Sequence, residues 1–217
     1  MFAKSATIPL FATPVWGFDL PADDIARVNG VLKAHIEDWL SPRPEIPAGD
    51  NWQTTQDLHE QEAFAVLYPF VHEAIQSALN AYGVDDTEYV ITGCWANVNQ
   101  PGSDHRPHTH PNNIISGVYY VQTVGDGDEI VFHDPRPQAH VIQPTLTRPI
   151  AERQSAIGVE AKPGRLLLFP SWVRHSVRRN ATQNERISIS FNAMLTDYLA
   201  KHAAPQWRGY AKGGKKV

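Results

Sequence analysis

Hydrophobic positions along this chain change their period once, near residue 88. Before that point they recur at spacings of three and four. Ile25, Val28, Leu32, Ile36 and Trp39 line one face of a helix predicted to begin after Asp19 and Pro21 and to stop at Pro42. A second helical region is predicted over 58–82, with Val71, Ile75, Leu79 and Tyr82 facing inward. Pro69 divides that region, and Gly83 ends it. The intervening residues 41–57, rich in Pro, Gly, Asp and Asn, read as a loop. Residues 7–18 read as an edge segment, since Pro9 and Pro14 are tolerated at a sheet edge but not within it.

Beyond residue 88 the alternation is two. Strands are predicted at 89–99, 114–122, 129–133, 138–142, 157–161, 165–169, 172–177 and 186–195, separated by Gly, Pro, Asp and Asn. Short strands with no helical period between them make the chain mainly β: a sandwich, a barrel or a jelly roll. The organisation predicted is a single domain over 1–217, with an N-terminal edge strand and helices in 1–87. A β core in 88–195 and a loose tail in 196–217 complete it.

Two polar clusters interrupt this pattern. His105, His108 and His110 fall within six residues, just ahead of a predicted strand. In an extended segment side chains alternate faces, so His108 and His110 point the same way. Neutral imidazole is the commonest ligand for borderline first-row metals, and His175, late in the β core, is the obvious distant partner. Three imidazoles with open positions suit catalysis better than a closed structural site built from thiolates. The second cluster is on the last strand, where Arg186, Ser188, Ser190 and Asn192 alternate with Ile187, Ile189 and Phe191. A solvated polar face is the plain reading. If the apolar face packs under the helices instead, the polar face lines the interior. A buried arginine there needs an anion, and its planar fork matches a carboxylate.

Other polar residues take lesser places. Asn97 and Asn99 share a strand face with Trp95, and of Tyr119 and Tyr120 one must point inward. Arg136 reads as a turn ion pair with Asp134.

Composition narrows the function without naming it. A net charge of −4 with no long basic run disfavours nucleic acid as the main partner. Cys94 is the sole cysteine, so no intrachain disulfide forms and a reducing, cytoplasmic setting is expected. No apolar window approaches the length of a membrane span, so no membrane association is expected.

In order and spacing, several motifs together resemble the 2-oxoglutarate-dependent Fe(II) oxygenases, and among them a small bacterial group. They are Trp95 to Asn99, Pro101 and Gly102, His108 to Pro111, Ser116 to Tyr120 and Asp134 to Arg136. Pro163 and Gly164, Leu168 to Trp172, His175 and Arg186 to Asn192 complete the set. The likeness is dense over 88–195 and weaker over 10–16. It implies a double-stranded β-helix, a cupin-like jelly roll. It also implies Fe(II), O2 and 2-oxoglutarate as cosubstrate, and hydroxylation of a small molecule or peptide with release of succinate and CO2. On this likeness His108 and His175 are metal ligands, and His110 stands where an acidic ligand is usual. Arg186 and Ser188 hold the distal carboxylate, with Asn97 and Tyr119 completing the cosubstrate site.

The histidine at 110 makes the site one charge more positive than a facial triad of two histidines and a carboxylate. His105, Asp104 and Asp134 therefore stay open as third ligands. Two rival readings follow. A three-histidine cupin-type dioxygenase working without 2-oxoglutarate has no use for Arg186 and Ser188. A non-enzymatic metal-binding domain has no cavity between His175 and Arg186. The helical layer and loops 41–57 and 143–156 are expected to shape the substrate pocket, and pairing through edge strands would give a homodimer.

Overall fold

Alternating apolar positions build two antiparallel sheets in the computed structural model, which describes residues 3–201 apart from 7, 9, 85, 86, 126, 143, 149, 151, 152 and 199. The strands are β1 (Trp16–Asp19), β2 (Asn51–Gln53), β3 (Tyr89–Asn99), β4 (His105–His108), β5 (Ile115–Gln122), β6 (Glu129–His133), β7 (Ala156–Glu160), β8 (Arg165–Pro170), β9 (His175–Val177) and β10 (Arg186–Leu195). One sheet runs β1-β8-β5-β10-β3-β2 and the other β4-β9-β6-β7. Val118, Tyr120 and Phe169 from the first meet Ile130 and Phe132 from the second in a small core between them. The helices α1 (Ala22–Trp39) and α2 (Tyr68–Ala81) cover the other face of the six-stranded sheet. There Val28, Leu32, Ile36, Val71, Ile75 and Leu79 join Ile115, Tyr119, Leu166, Leu168, Ile187 and Ile189 in the main core. This is the double-stranded β-helix with a minor helical layer.

Both predicted helical stripes are buried at their centres, while their last members, Trp39 and Tyr82, are partly exposed. Pro69 sits in the first turn of α2, where its missing N–H has no helical partner to lose. Gly83 takes φ +73°, which ends the helix.

Five stretches differ from expectation. The strand predicted at 138–142 is a 3₁₀ turn, Pro137–His140, and Val141 and Ile142 are exposed. Asp134 accepts the Arg136 backbone N–H at 2.9 Å, which turns the chain before a strand can form. The strand predicted at 172–177 shortens to β9 because Val173 N–H bonds the Pro170 carbonyl in a turn. Residues 105–108 and 51–53, expected outside strands, form β4 and β2 by pairing along β9 and β3. Of the expected tail, Thr196–Tyr198 forms a helical turn; His202 and the lysines at 212, 215 and 216 lie outside the described residues.

Gly117 marks where the six-stranded sheet is most tightly covered. A Cβ added there would overlap the Phe191 ring and a Leu168 methyl, both from adjacent strands. Gly117→Ala is therefore expected to destabilise the fold by about 1–3 kcal/mol through overpacking, read as a lower urea midpoint.

Candidate active site

Register brings the histidines together. β4 pairs with β9 so that His108 lies directly opposite His175, and the His110 N–H is anchored on the Ser171 carbonyl at 2.9 Å. The ring nitrogens of His108, His110 and His175 all lie within 4.8 Å of one another, close enough to share one cation. His175 is buried, and its Nδ1 contacts the Val173 carbonyl at 3.0 Å. His108 Nδ1 contacts the Arg106 carbonyl at 2.7 Å. A carbonyl only accepts, so both Nδ1 atoms carry the proton and both Nε2 atoms keep a free lone pair.

The six-stranded sheet supplies the opposite wall. Inward-facing residues of β3, β5 and β10 (Asn97, Asn99, Tyr120, Arg186, Ser188, Ser190) and the three histidines line one cavity of about 130 Å³. Arg186 is 2% exposed. Its Nε donates to Asp128 Oδ2 at 3.0 Å, and its Nη2 pairs with Asp128 Oδ1. Its Nη1 is buried and has no hydrogen-bond partner. A buried arginine with an unpartnered N–H donor, sharing a cavity with three clustered imidazoles, is the donor set that a metal-chelating dicarboxylate would satisfy.

The other expected residues divide. Asn97 lines the cavity, its Oδ1 accepting from Gln53 Nε2 at 3.0 Å and its Nδ2 donating to Ser190 at 3.2 Å. Tyr119 does not face the cavity. Opposite Ile189 it points to the helices, where its hydroxyl donates to Asn29 of α1 at 2.6 Å. Tyr120, opposite Ser188, is the inward tyrosine. Of the alternative third ligands, Asp134 is engaged by Arg136 at 2.9 Å and His140 at 3.1 Å, and Asp104 is exposed. His105 lines the cavity, but its Nε2 is 2.8 Å from Asn99 Nδ2 and it lies outside the three-histidine cluster. Sequence reasoning missed Asp128, which follows two glycines in a turn where acidic residues are commonplace.

Burial holds the His175 imidazole down to about 3, with the neighbouring imidazoles adding to it against the Val173 carbonyl. Burial, then His108, holds His110 down to about 4. In the metal-free protein these rings stay neutral when folded, while in the unfolded chain they take up protons below pH ~6.5. The unfolded state then binds more protons, so stability is complete above pH ~6.5 and falls as pH drops toward the folded values. Unfolding of chelator-treated protein is expected to show about 1–2 kcal/mol lost between pH 6.5 and 5.5, beyond the carboxylate contribution, with the share of half-buried His110 reduced by solvent screening. His110→Gln with His175→Gln should flatten that loss.

Comparison with known proteins agrees with this geometry. A family model described as "Putative 2OG-Fe(II) oxygenase" matches residues 93–192. No curated protein matches the chain by sequence. Among solved structures, a Pseudomonas putida prolyl-4-hydroxylase shares 16% identity at a TM-score of 0.58, covering 84% of this chain and 92% of its own. The Trichoplax adhaerens prolyl hydroxylase, solved with a hypoxia inducible factor peptide fragment, gives 14% and 0.59, covering 87% and 86%. HygX from Streptomyces hygroscopicus, solved with nickel and 2-oxoglutarate, gives 13% and 0.57, covering 85% and 83%. These likenesses carry the fold, and the family model carries the chemistry. Over the matched stretch, which carries the histidine cluster, this chain is similar to the 2-oxoglutarate-dependent Fe(II) oxygenases.

Proposed function

We propose that His108, His110 and His175 hold Fe(II) through their ring nitrogens, and that Arg186 Nη1 and the Ser188 hydroxyl receive the distal carboxylate of 2-oxoglutarate. The observation that carries this reading is a buried arginine with an unpartnered Nη1, lining one small cavity together with three clustered imidazoles. A three-histidine dioxygenase without the cosubstrate would leave that donor unused, and a closed metal-binding domain would have no cavity there. Bound Fe(II) supplies the oxygen chemistry, in which 2-oxoglutarate and O2 give succinate and CO2 while one oxygen atom hydroxylates the substrate. The chain's own part is to orient and to exclude water. The carbonyls of Arg106 and Val173 aim two imidazoles, Arg186 and Ser188 fix the far end of the cosubstrate, and Asn97 has one amide N–H left for its near end.

The cavity, of about 130 Å³, is small, and its polar lining suits a dicarboxylate. A second hollow of about 350 Å³, lined by Trp39, Trp52, Thr54, Asp57 and Leu58, shares Gln53 with the cavity. The substrate, a small molecule or peptide, approaches over this part of the 41–57 loop. Among the described residues no helix is long and apolar enough to cross a membrane. The single free, buried Cys94 accords with a reducing, cytoplasmic setting.

Arg186→Gln is expected to weaken 2-oxoglutarate binding roughly 10- to 100-fold, the worth of a hydrogen bond to a charged group at about 1.5–3 kcal/mol. Fe(II) affinity should stay unchanged in anaerobic calorimetry. His175→Ala should lower Fe(II) affinity by at least about 100-fold, the upper range for losing even an outer-shell partner. Wild-type calorimetric affinity for 2-oxoglutarate in Arg186→Gln would end the cosubstrate assignment.

A further inference from the structure

Arg186 meets Asp128 side-on: Nε donates to one carboxylate oxygen and Nη2 forms an ion pair with the other, the Asp128 side chain being 1% exposed against 3% for Arg186. Asp128 is itself held by backbone, since its Oδ2 accepts the Val124 N–H at 3.2 Å and its carbonyl accepts the Ala161 N–H at 2.8 Å. The carboxylate therefore sets where Nη1 points before any ligand arrives. Asp128 also comes from the other sheet's side, immediately before β6, while Arg186 opens β10.

Charge gives this pair a second role. Neutral imidazoles contribute nothing, so a divalent cation with Arg186 alone would make the cavity formally +3. A facial triad carries its carboxylate on the metal and reaches +2 with the same arginine. Here the three ligand candidates are all histidines, and among the described residues a buried carboxylate, Asp128, lies beside the cavity-lining arginine instead. It restores +2, which a dianionic 2-oxo dicarboxylate neutralises.

We propose that Asp128 is a positioning residue for the cosubstrate: it holds Arg186 side-on so that the Nη1 edge of the fork is left for a ligand, and it cancels the guanidinium charge so that simple anions do not compete for the site. This rests on the cosubstrate reading of Arg186 given above. Without Asp128 the guanidinium has two unpaired donor edges in a buried, positively charged hollow, and a small anion such as chloride will occupy them.

The test is anaerobic calorimetry of 2-oxoglutarate on the Fe(II)-loaded protein, at constant ionic strength, with chloride exchanged for methanesulfonate. Wild type is expected to bind with the same Kd in both. Asp128→Asn, which keeps the side-chain size, is expected to bind Fe(II) as wild type does but to bind 2-oxoglutarate about tenfold more weakly in chloride. Replacing chloride should restore part of that loss. A Kd unchanged or tightened by Asp128→Asn, or a weakened one indifferent to chloride, overturns the proposal.

A second arm holds if the single variant folds poorly. In the Arg186→Gln background, adding Asp128→Asn removes both halves of the pair, and should leave the already weakened Kd where it was or tighten it, because an Asp128 carboxylate without its guanidinium can only repel the dianion. A further tenfold fall in that background would overturn the proposal independently. Failure of wild type to bind 2-oxoglutarate at all is a different result: it removes the cosubstrate reading itself.

Discussion

β10 is buried on both faces, and the rest of the structure answers to that. Its neighbours β5 and β3 close both edges, and Ile187, Ile189 and Phe191 sink into the core beneath the helices. The polar residues in between have nowhere to go but the space between the sheets. A guanidinium cannot stay there uncompensated, since an isolated buried charge is far more costly than a paired one. The second sheet must therefore bring an acid to it and leave room beside it. The cavity exists because this strand is apolar on one side only.

The histidines are placed by a different economy. β4 is short, contains Pro107 and holds the sheet by little more than the pairing of His105 with Val177 and His108 with His175. That weak strand suffices because its aim is fixed locally. Carbonyls two residues away orient His108 and His175, and the Ser171 carbonyl ties the backbone at His110. Burial then keeps the His110 and His175 imidazoles uncharged, so neither need lose a proton before a cation is bound.

Much of this was legible in the order of residues. The change of period near residue 88 marked where helices give way to sheets, and the two-faced pattern of β10 indicated which side lines the cavity. His108, His110 and His175 were recoverable because period-two alternation and a distant partner are local facts. What could not be read depended on register. Tyr119 and Tyr120 are indistinguishable as residues; a bulge beside Ile187 sets Tyr120 against Ser188 and sends Tyr119 to Asn29. Asp128 sits 58 positions from Arg186, in a turn whose composition predicts only a turn. The strand expected at 138–142 failed because alternation alone does not supply a neighbour to pair with.

Burial grades the cavity from end to end: Arg186 is sealed at 2% exposure, while His108 and His110 are only half-buried. On the cosubstrate reading, a dicarboxylate entering from the imidazole side would meet the metal ligands before it met the guanidinium.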